Sequence, residues 1–106
     1  MDQLHIAICD DEMLDLSQVL ELVKFYNNNN QLQITTFLHA VDLLNASSKD
    51  KFDIVLLDIE MEPPSGFDVA KELIVKDNPP TIIFTTKSNA YALKGYGIAI
   101  RYLQKP

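Results

Sequence analysis

The chain has 106 residues, a net charge of −6 and 47% hydrophobic residues, values typical of one small globular domain rather than a disordered chain. The acidic balance argues against direct nucleic-acid contact by this segment, because proteins that bind the phosphate backbone carry a basic face. A single cysteine excludes an internal disulfide. We therefore expect a protein of the reducing cytoplasm. The sequence has neither a signal peptide nor a long apolar run, so we expect no membrane contact.

Strand-like and helix-like segments alternate along the chain. Short runs rich in β-branched and aromatic residues predict strands over 4–9, 33–37, 52–58, 81–86 and 99–103. Apolar spacing and turn residues predict helices over 12–26, 39–47, 66–77 and 89–96. The alternation predicts an α/β fold, a doubly wound five-stranded parallel sheet with helices on both faces.

The first predicted helix carries a stripe of apolar residues expected to face the core. The stripe follows three- and four-residue steps, with two leucines widening it; its members are Met13, Leu16, Leu20, Val23, Leu14 and Leu22.

Acidic residues follow two of the predicted strands directly. In "HIAICDDE" (5–12) an apolar strand runs into Asp10, Asp11 and Glu12, and Asp58 follows "DIVLL". Taken alone, the first three acids suit the first turn of a helix, where negative charge is favourable. If the first and third strands are neighbours, however, carboxylates converge at the sheet edge where doubly wound folds bind ligands. Such crowding calls for a cation, and Mg²⁺ prefers oxygen ligands.

The later strands end in polar groups of a different kind. Thr85 and Thr86 close the fourth predicted strand, and Lys105 follows the fifth. Carboxylates, a hydroxyl and an ammonium group at successive strand ends would together suit binding and transfer of a phosphoryl group.

These motifs, in this order, resemble a known family. The chain carries "CDDE" (9–12), "LLDIEM" (56–61) with Gly66 eight positions after Asp58, "IIFTT" (82–86), "YAL" (91–93) and "RYLQKP" (101–106). Over essentially its whole length it resembles the receiver domain of bacterial two-component response regulators, which has a flavodoxin-like fold. "LLDIEM", "YALKGY" and "RYLQKP" are most similar to receivers coupled to LytTR-type DNA-binding domains.

The resemblance implies a role for each matching residue. Asp58 would accept a phosphoryl group from a phosphohistidine on a sensor histidine kinase. Asp10, Asp11 and Asp58, with the backbone carbonyl of Glu60, would hold Mg²⁺. Lys105 and Thr86 would contact the phosphoryl oxygens, and Tyr102 would be the switch aromatic. The domain would therefore be a phosphoacceptor rather than an enzyme, with self-phosphorylation from small donors and self-dephosphorylation, and would control a downstream output that is expected to be transcription.

The chain departs from the family pattern at several positions. Glu62 stands where the family usually has proline, with Pro63 and Pro64 after it, and Lys87 stands where a small residue is usual. The segment between "YALKGY" and "RYLQKP" is about one residue short, so Thr85 is an alternative to Thr86. The family's last helix would follow Pro106, so we expect a receiver domain over 1–106, truncated after the fifth strand. Its uncovered apolar face would favour a homodimer.

Two other functions remain open at this point. One is a pseudo-receiver, a binding module that keeps the fold and ignores phosphate; Lys87 and the missing helix favour it. The other is a haloacid dehalogenase-like phosphohydrolase, because "DIE" after a strand imitates the aspartate pair of those enzymes. That class generally needs an aspartate in place of Glu60 and a longer chain.

Overall fold

The computed structural model describes residues 3–27 and 31–86 and the backbone of 101–104. Strands and helices alternate as predicted, although β3 begins two residues later and α3 ends three residues earlier than expected. The predicted helix over 89–96 lies outside the described residues. The elements are β1 Leu4–Cys9, α1 Met13–Tyr26, β2 Leu32–Phe37, α2 Ala40–Ser47, β3 Ile54–Asp58, α3 Gly66–Ile74, β4 Thr81–Thr86 and β5 Arg101–Gln104.

The strands form one parallel sheet in the order β2-β1-β3-β4-β5. The predicted doubly wound five-stranded sheet is therefore confirmed. The strand order reverses at β1, which pairs with β2 on one side and β3 on the other. In the β1–β3 register Ala7 is opposite Val55 and Cys9 is opposite Leu57, so the carboxyl ends of these two strands lie side by side.

Each face of the sheet has its own apolar core, because alternate residues of a strand point to opposite faces. One face packs against α1, and the other packs against α2 and α3. The α1 core comprises Ile6, Ile8, Leu16, Val19 and Leu56. The larger core includes Cys9, Leu43, Val55, Leu57, Val69, Leu73 and Phe84.

The apolar stripe predicted for α1 is only partly correct. Leu16 is buried as expected, and Val19 joins it. Met13, Leu14 and Leu22 are instead exposed, at 61%, 70% and 44%. A helix lying on a single sheet face buries a narrow stripe, so these three side chains point away from it.

The start of α3 is fixed by a reciprocal pair of hydrogen bonds. The backbone N–H of Asp68 donates to Oγ of Ser65 at 3.3 Å, and the Ser65 N–H donates to the Asp68 carboxylate at 3.1 Å. This capping box satisfies two helix-end donors. It therefore anchors the far end of the loop that follows β3. Among the helices in the described part of the chain, none has the length and apolar character needed to cross a membrane.

Candidate acidic site at the sheet edge

Three carboxylates meet where β1 and β3 end. Asp10 and Asp11 follow β1, and Asp58 is the last residue of β3. One carboxylate oxygen from each lies within 4.8 Å of the other two. Asp10 and Asp58 are 1% and 2% exposed, whereas Asp11 is half-buried. The convergence predicted from the strand ends is thus present, and it depends on the neighbouring positions of β1 and β3.

Backbone N–H groups orient two of the three carboxylates. The N–H of Glu12, at the start of α1, donates to Oδ1 of Asp10 at 3.0 Å. The N–H of Glu62, in the loop after β3, donates to Oδ2 of Asp11 at 3.0 Å. The first bond is local, and the second joins parts of the chain 51 residues apart. Glu12 itself is exposed and serves as the N-cap residue of α1.

The ligand set suits a hard divalent cation. It consists of carboxylate oxygens alone, which Mg²⁺ accepts and softer metals do not favour. Burying like charges this close together is costly, and a cation between them offsets that cost. The three carboxylates therefore fit the predicted Mg²⁺. Glu60, whose backbone carbonyl was predicted as a further ligand, lies two residues beyond Asp58 and lines the same cleft as Asp11.

Cys9 is the last residue of β1, directly before Asp10, and belongs to the larger apolar core. It is fully buried, and its pKa is raised to about 12, first by burial and then by the charges of Asp10, Asp58 and Asp11. Its Sγ lies 3.9 Å from Sδ of Met61. The thiol therefore stays protonated at neutral pH, as is typical of a cysteine that packs in a core rather than binding a metal.

Gly66 allows α3 to begin against the end of β3. Its N–H donates to the carbonyl of Ile59 at 3.0 Å. A Cβ at this position would lie 2.2 Å from the carbonyl oxygen of Asp58 and 2.8 Å from Cα of Ile59. The spacing of Gly66 after Asp58 was noted in the sequence, and the structure supplies its reason: no side chain fits there.

The two candidate threonines both lie at the buried end of β4. Thr85 is opposite Asp58 in the β3–β4 register, and its carbonyl accepts a hydrogen bond from the Ile59 N–H at 3.2 Å. Thr86 is one residue further along the strand. Thr85 is 2% exposed and Thr86 is 4% exposed, so burial does not distinguish them.

The remaining predicted site residues are described in part or not at all. Tyr102 lies in β5 opposite Phe84, but its side chain is outside the described residues. Lys105 and Lys87 also lie outside them.

An open cleft of about 510 Å³ borders the acidic cluster. Four acidic residues and several apolar ones line it, and Asp11 connects it to the cluster. The lining residues are Asp11, Glu12, Ile59, Glu60, Met61, Glu62, Pro63, Ser65 and Phe67. A cleft of about 270 Å³ at the opposite sheet edge, before β3 and β4, includes Lys49, Lys51 and Lys76 in its lining.

The fold and the acidic site together define a class of protein. The family model for the response regulator receiver domain matches residues 6–106 of the chain. The chain therefore belongs to the response regulator receiver domain family, whose members are signalling domains of two-component systems rather than conventional enzymes.

Its relatives include regulators of the LytT and LytR type. The chain is 34% identical over 104 residues to "Sensory transduction protein LytT" of Bacillus subtilis (strain 168), covering 97% of this chain and 42% of that protein. It is 33% identical over 104 residues to "Positive alginate biosynthesis regulatory protein" of Pseudomonas aeruginosa, with the same two coverages. The chain thus spans less than half the length of these relatives.

Solved structures agree with the fold. The response regulatory domain of protein mrkE from Klebsiella pneumoniae superimposes with a TM-score of 0.82 at 27% identity, covering 97% of this chain and 84% of that one. Response regulator protein TrrA from Thermotoga maritima, in complex with Mg²⁺ and BeF, gives a TM-score of 0.77 at 29% identity, covering 98% and 88%.

Proposed function

We propose that Asp58 is the phosphoacceptor of this receiver domain and takes a phosphoryl group from a phosphohistidine on a sensor histidine kinase. The observation that carries the proposal is the convergence of the Asp10, Asp11 and Asp58 carboxylates within 4.8 Å at the carboxyl edge of the sheet. Asp58 alone of the three ends a central strand, and Gly66 packs so closely against its carbonyl that no side chain would fit between them. It is therefore the best-positioned nucleophile.

The transfer is a substitution at phosphorus. A carboxylate oxygen of Asp58 attacks the phosphorus atom, the N–P bond breaks, and the imidazole leaving group keeps the bonding electrons and takes up a proton. A carboxylate is a weak nucleophile, so positioning and charge neutralisation must supply most of the rate. Mg²⁺ held by Asp10, Asp11, Asp58 and the carbonyl of Glu60 would neutralise charge on the phosphoryl oxygens.

Thr86 is the hydroxyl that we assign to the phosphoryl group, with Lys105 as the cationic partner. The support is the register: Thr85 is level with Asp58, and Thr86 lies one residue nearer the edge where the acids meet. Phosphorylation then biases an equilibrium between two conformations, with Tyr102 as the switch aromatic on β5.

Alanine variants of Thr85 and Thr86 form a matched pair that tests this assignment. Thr86→Ala should slow phosphoryl uptake or shorten the lifetime of the phosphorylated state by about tenfold, because one hydrogen bond to a charged group is lost. Thr85→Ala should change both by less than about twofold. Time-resolved intact mass spectrometry measures uptake and decay. A larger effect in Thr85→Ala would transfer the role to Thr85.

The curated relatives of the chain are much longer than the region that matches it. Because the LytT relative is more than twice the length of the matched region, we propose that the domain controls a LytTR-type DNA-binding domain and hence transcription, without itself contacting nucleic acid.

We also propose that the receiver domain, residues 1–106, forms homodimers in a cytoplasmic setting; light scattering would test this.

The central experiment is intact mass after incubation with acetyl phosphate and Mg²⁺. We expect a gain of one phosphoryl group in the wild-type chain and none with a chelator or in Asp58→Asn. Circular dichroism establishes that each sample is folded. Folded wild-type protein that gains no mass would contradict the proposal and favour a phosphorylation-independent binding module.

A further inference from the structure

We propose that the backbone N–H of Glu62 is a positioning group for Asp11 and raises the affinity of the site for Mg²⁺. This inference rests on the proposed metal site and adds a component to it. Proline, the residue that the family usually has at this position, has no N–H to donate. The departure seen in the sequence therefore places a hydrogen-bond donor at the metal site.

The geometry connects the loop after β3 with the residue after β1. The Glu62 N–H donates to Oδ2 of Asp11 at 3.0 Å, within the normal range for such bonds. In the same conformation one oxygen of Asp11 lies within 4.8 Å of ligand oxygens of both Asp10 and Asp58. The hydrogen bond and the gathered ligand set are thus compatible. A carboxylate has two oxygens, so accepting one hydrogen bond from the loop does not prevent Asp11 from also binding a cation.

Of the three carboxylates, Asp11 is the one whose orientation should depend most on a hydrogen bond from outside the ligand set. Asp10 and Asp58 are buried, whereas Asp11 is half-buried, so its side chain has more rotational freedom to lose when a metal binds. The bond to Glu62 restricts that freedom before the metal arrives. Hydrogen bonds from outside the ligand set commonly orient metal ligands in this way.

The loop that carries the donor is itself fixed at its far end. The Ser65–Asp68 capping box anchors the start of α3, and the Gly66 N–H bonds to the carbonyl of Ile59. Residues 59–66 are thus closed into a short loop whose two ends are held together. The Glu62 N–H is presented to Asp11 from a structured loop, so little ordering is needed when the ion binds.

Coupling of this kind is reciprocal. If the Glu62 N–H improves Mg²⁺ binding, then bound Mg²⁺ must strengthen the hydrogen bond to Asp11. The loop lines the cleft of about 510 Å³, so the ion and the wall of this cleft stabilise each other.

The test compares two substitutions that remove the same charge. Glu62→Pro removes the carboxylate and the N–H, whereas Glu62→Gln removes only the carboxylate. Isothermal titration calorimetry with MgCl₂ should give a dissociation constant about three- to tenfold larger for Glu62→Pro than for Glu62→Gln. Equal affinities, or tighter binding by Glu62→Pro, would overturn the inference.

A second measurement avoids any misfolding of the proline variant. In the wild-type chain, amide hydrogen exchange at Glu62 should slow several-fold when MgCl₂ is added, and exchange at the exposed Glu72 should not change. Identical exchange at Glu62 with and without Mg²⁺ would overturn the inference. A wild-type chain that binds no Mg²⁺ would instead contradict the proposed function, so the two failures are distinguishable.

Discussion

Between pH 9 and 12 the metal-free protein should lose free energy of unfolding faster than a Cys9→Ala variant, by about 1 kcal/mol per pH unit. The cause is the fully buried thiol of Cys9, whose pKa is raised from 9.0 to about 12 in the folded chain. Burial makes the largest contribution, and the charges of Asp10, Asp58 and Asp11 add to it.

The sign follows from proton binding. In this pH range the unfolded chain has lost the Cys9 proton and the folded chain still holds it, so rising pH favours unfolding. The stabilisation is therefore complete below pH 9 and disappears as the pH approaches 12. Other groups titrate in the same range, and subtracting the Cys9→Ala curve removes their contribution.

Urea denaturation at several pH values, in the presence of a chelator, measures the effect. Cys9→Ala will be less stable than the wild-type chain at pH 7, because it leaves a small cavity, and the difference between the two should shrink as the pH rises. A difference that stays constant from pH 8 to 11 would show that the thiol ionises equally easily in both states.

Gly66→Ala should lower the free energy of unfolding by about 2–3 kcal/mol, because the added methyl group collides with backbone that cannot easily move. The collision is with the carbonyl oxygen of Asp58 at 2.2 Å and Cα of Ile59 at 2.8 Å. Alanine usually favours helices over glycine by up to about 1 kcal/mol, which is too little to offset the clash. Since the displaced backbone carries Asp58, the proposed phosphoacceptor, phosphoryl uptake should also slow.

Lys71→Ala provides a matched control, since Lys71 lies on the exposed face of the same helix and its replacement should change the free energy of unfolding by less than about 0.5 kcal/mol. Chemical denaturation compares the two variants, and acetyl phosphate labelling compares their rates. A Gly66→Ala variant as stable as Lys71→Ala would mean that the loop before α3 moves aside at little cost.

The fold and the acid cluster were predictable because both depend on patterns that a single sequence displays. Strands of the β3 type are continuous apolar runs, and Asp10, Asp11 and Asp58 directly follow such runs. Once the strands are assigned, the parallel topology brings their carboxyl ends together. Strand and helix type were therefore correct in every described element; the bounds of β1 and β4 were exact, and those of the others differed by at most three residues at either end.

Other features were not predictable because they depend on tertiary distances. The hydrogen bond between Glu62 and Asp11 joins residues far apart in the chain, and a backbone donor leaves no mark in the sequence beyond the missing proline. The exposure of Met13 and Leu14 depends on how α1 lies on the sheet, which periodicity alone does not fix. The close approach at Gly66 likewise needs coordinates.

The two clefts at opposite edges of the sheet show that charge is distributed asymmetrically over the described part of the chain. Four carboxylates line the cleft beside the acidic cluster, whereas the cleft at the other edge combines three lysines with two aspartates. The strands therefore run from an edge of nearly balanced charge to a strongly negative one. Such a dipole orients an approaching cation or basic surface toward the negative edge before any contact forms. The Debye length is about 8 Å at physiological ionic strength. Added salt should therefore weaken this orienting effect.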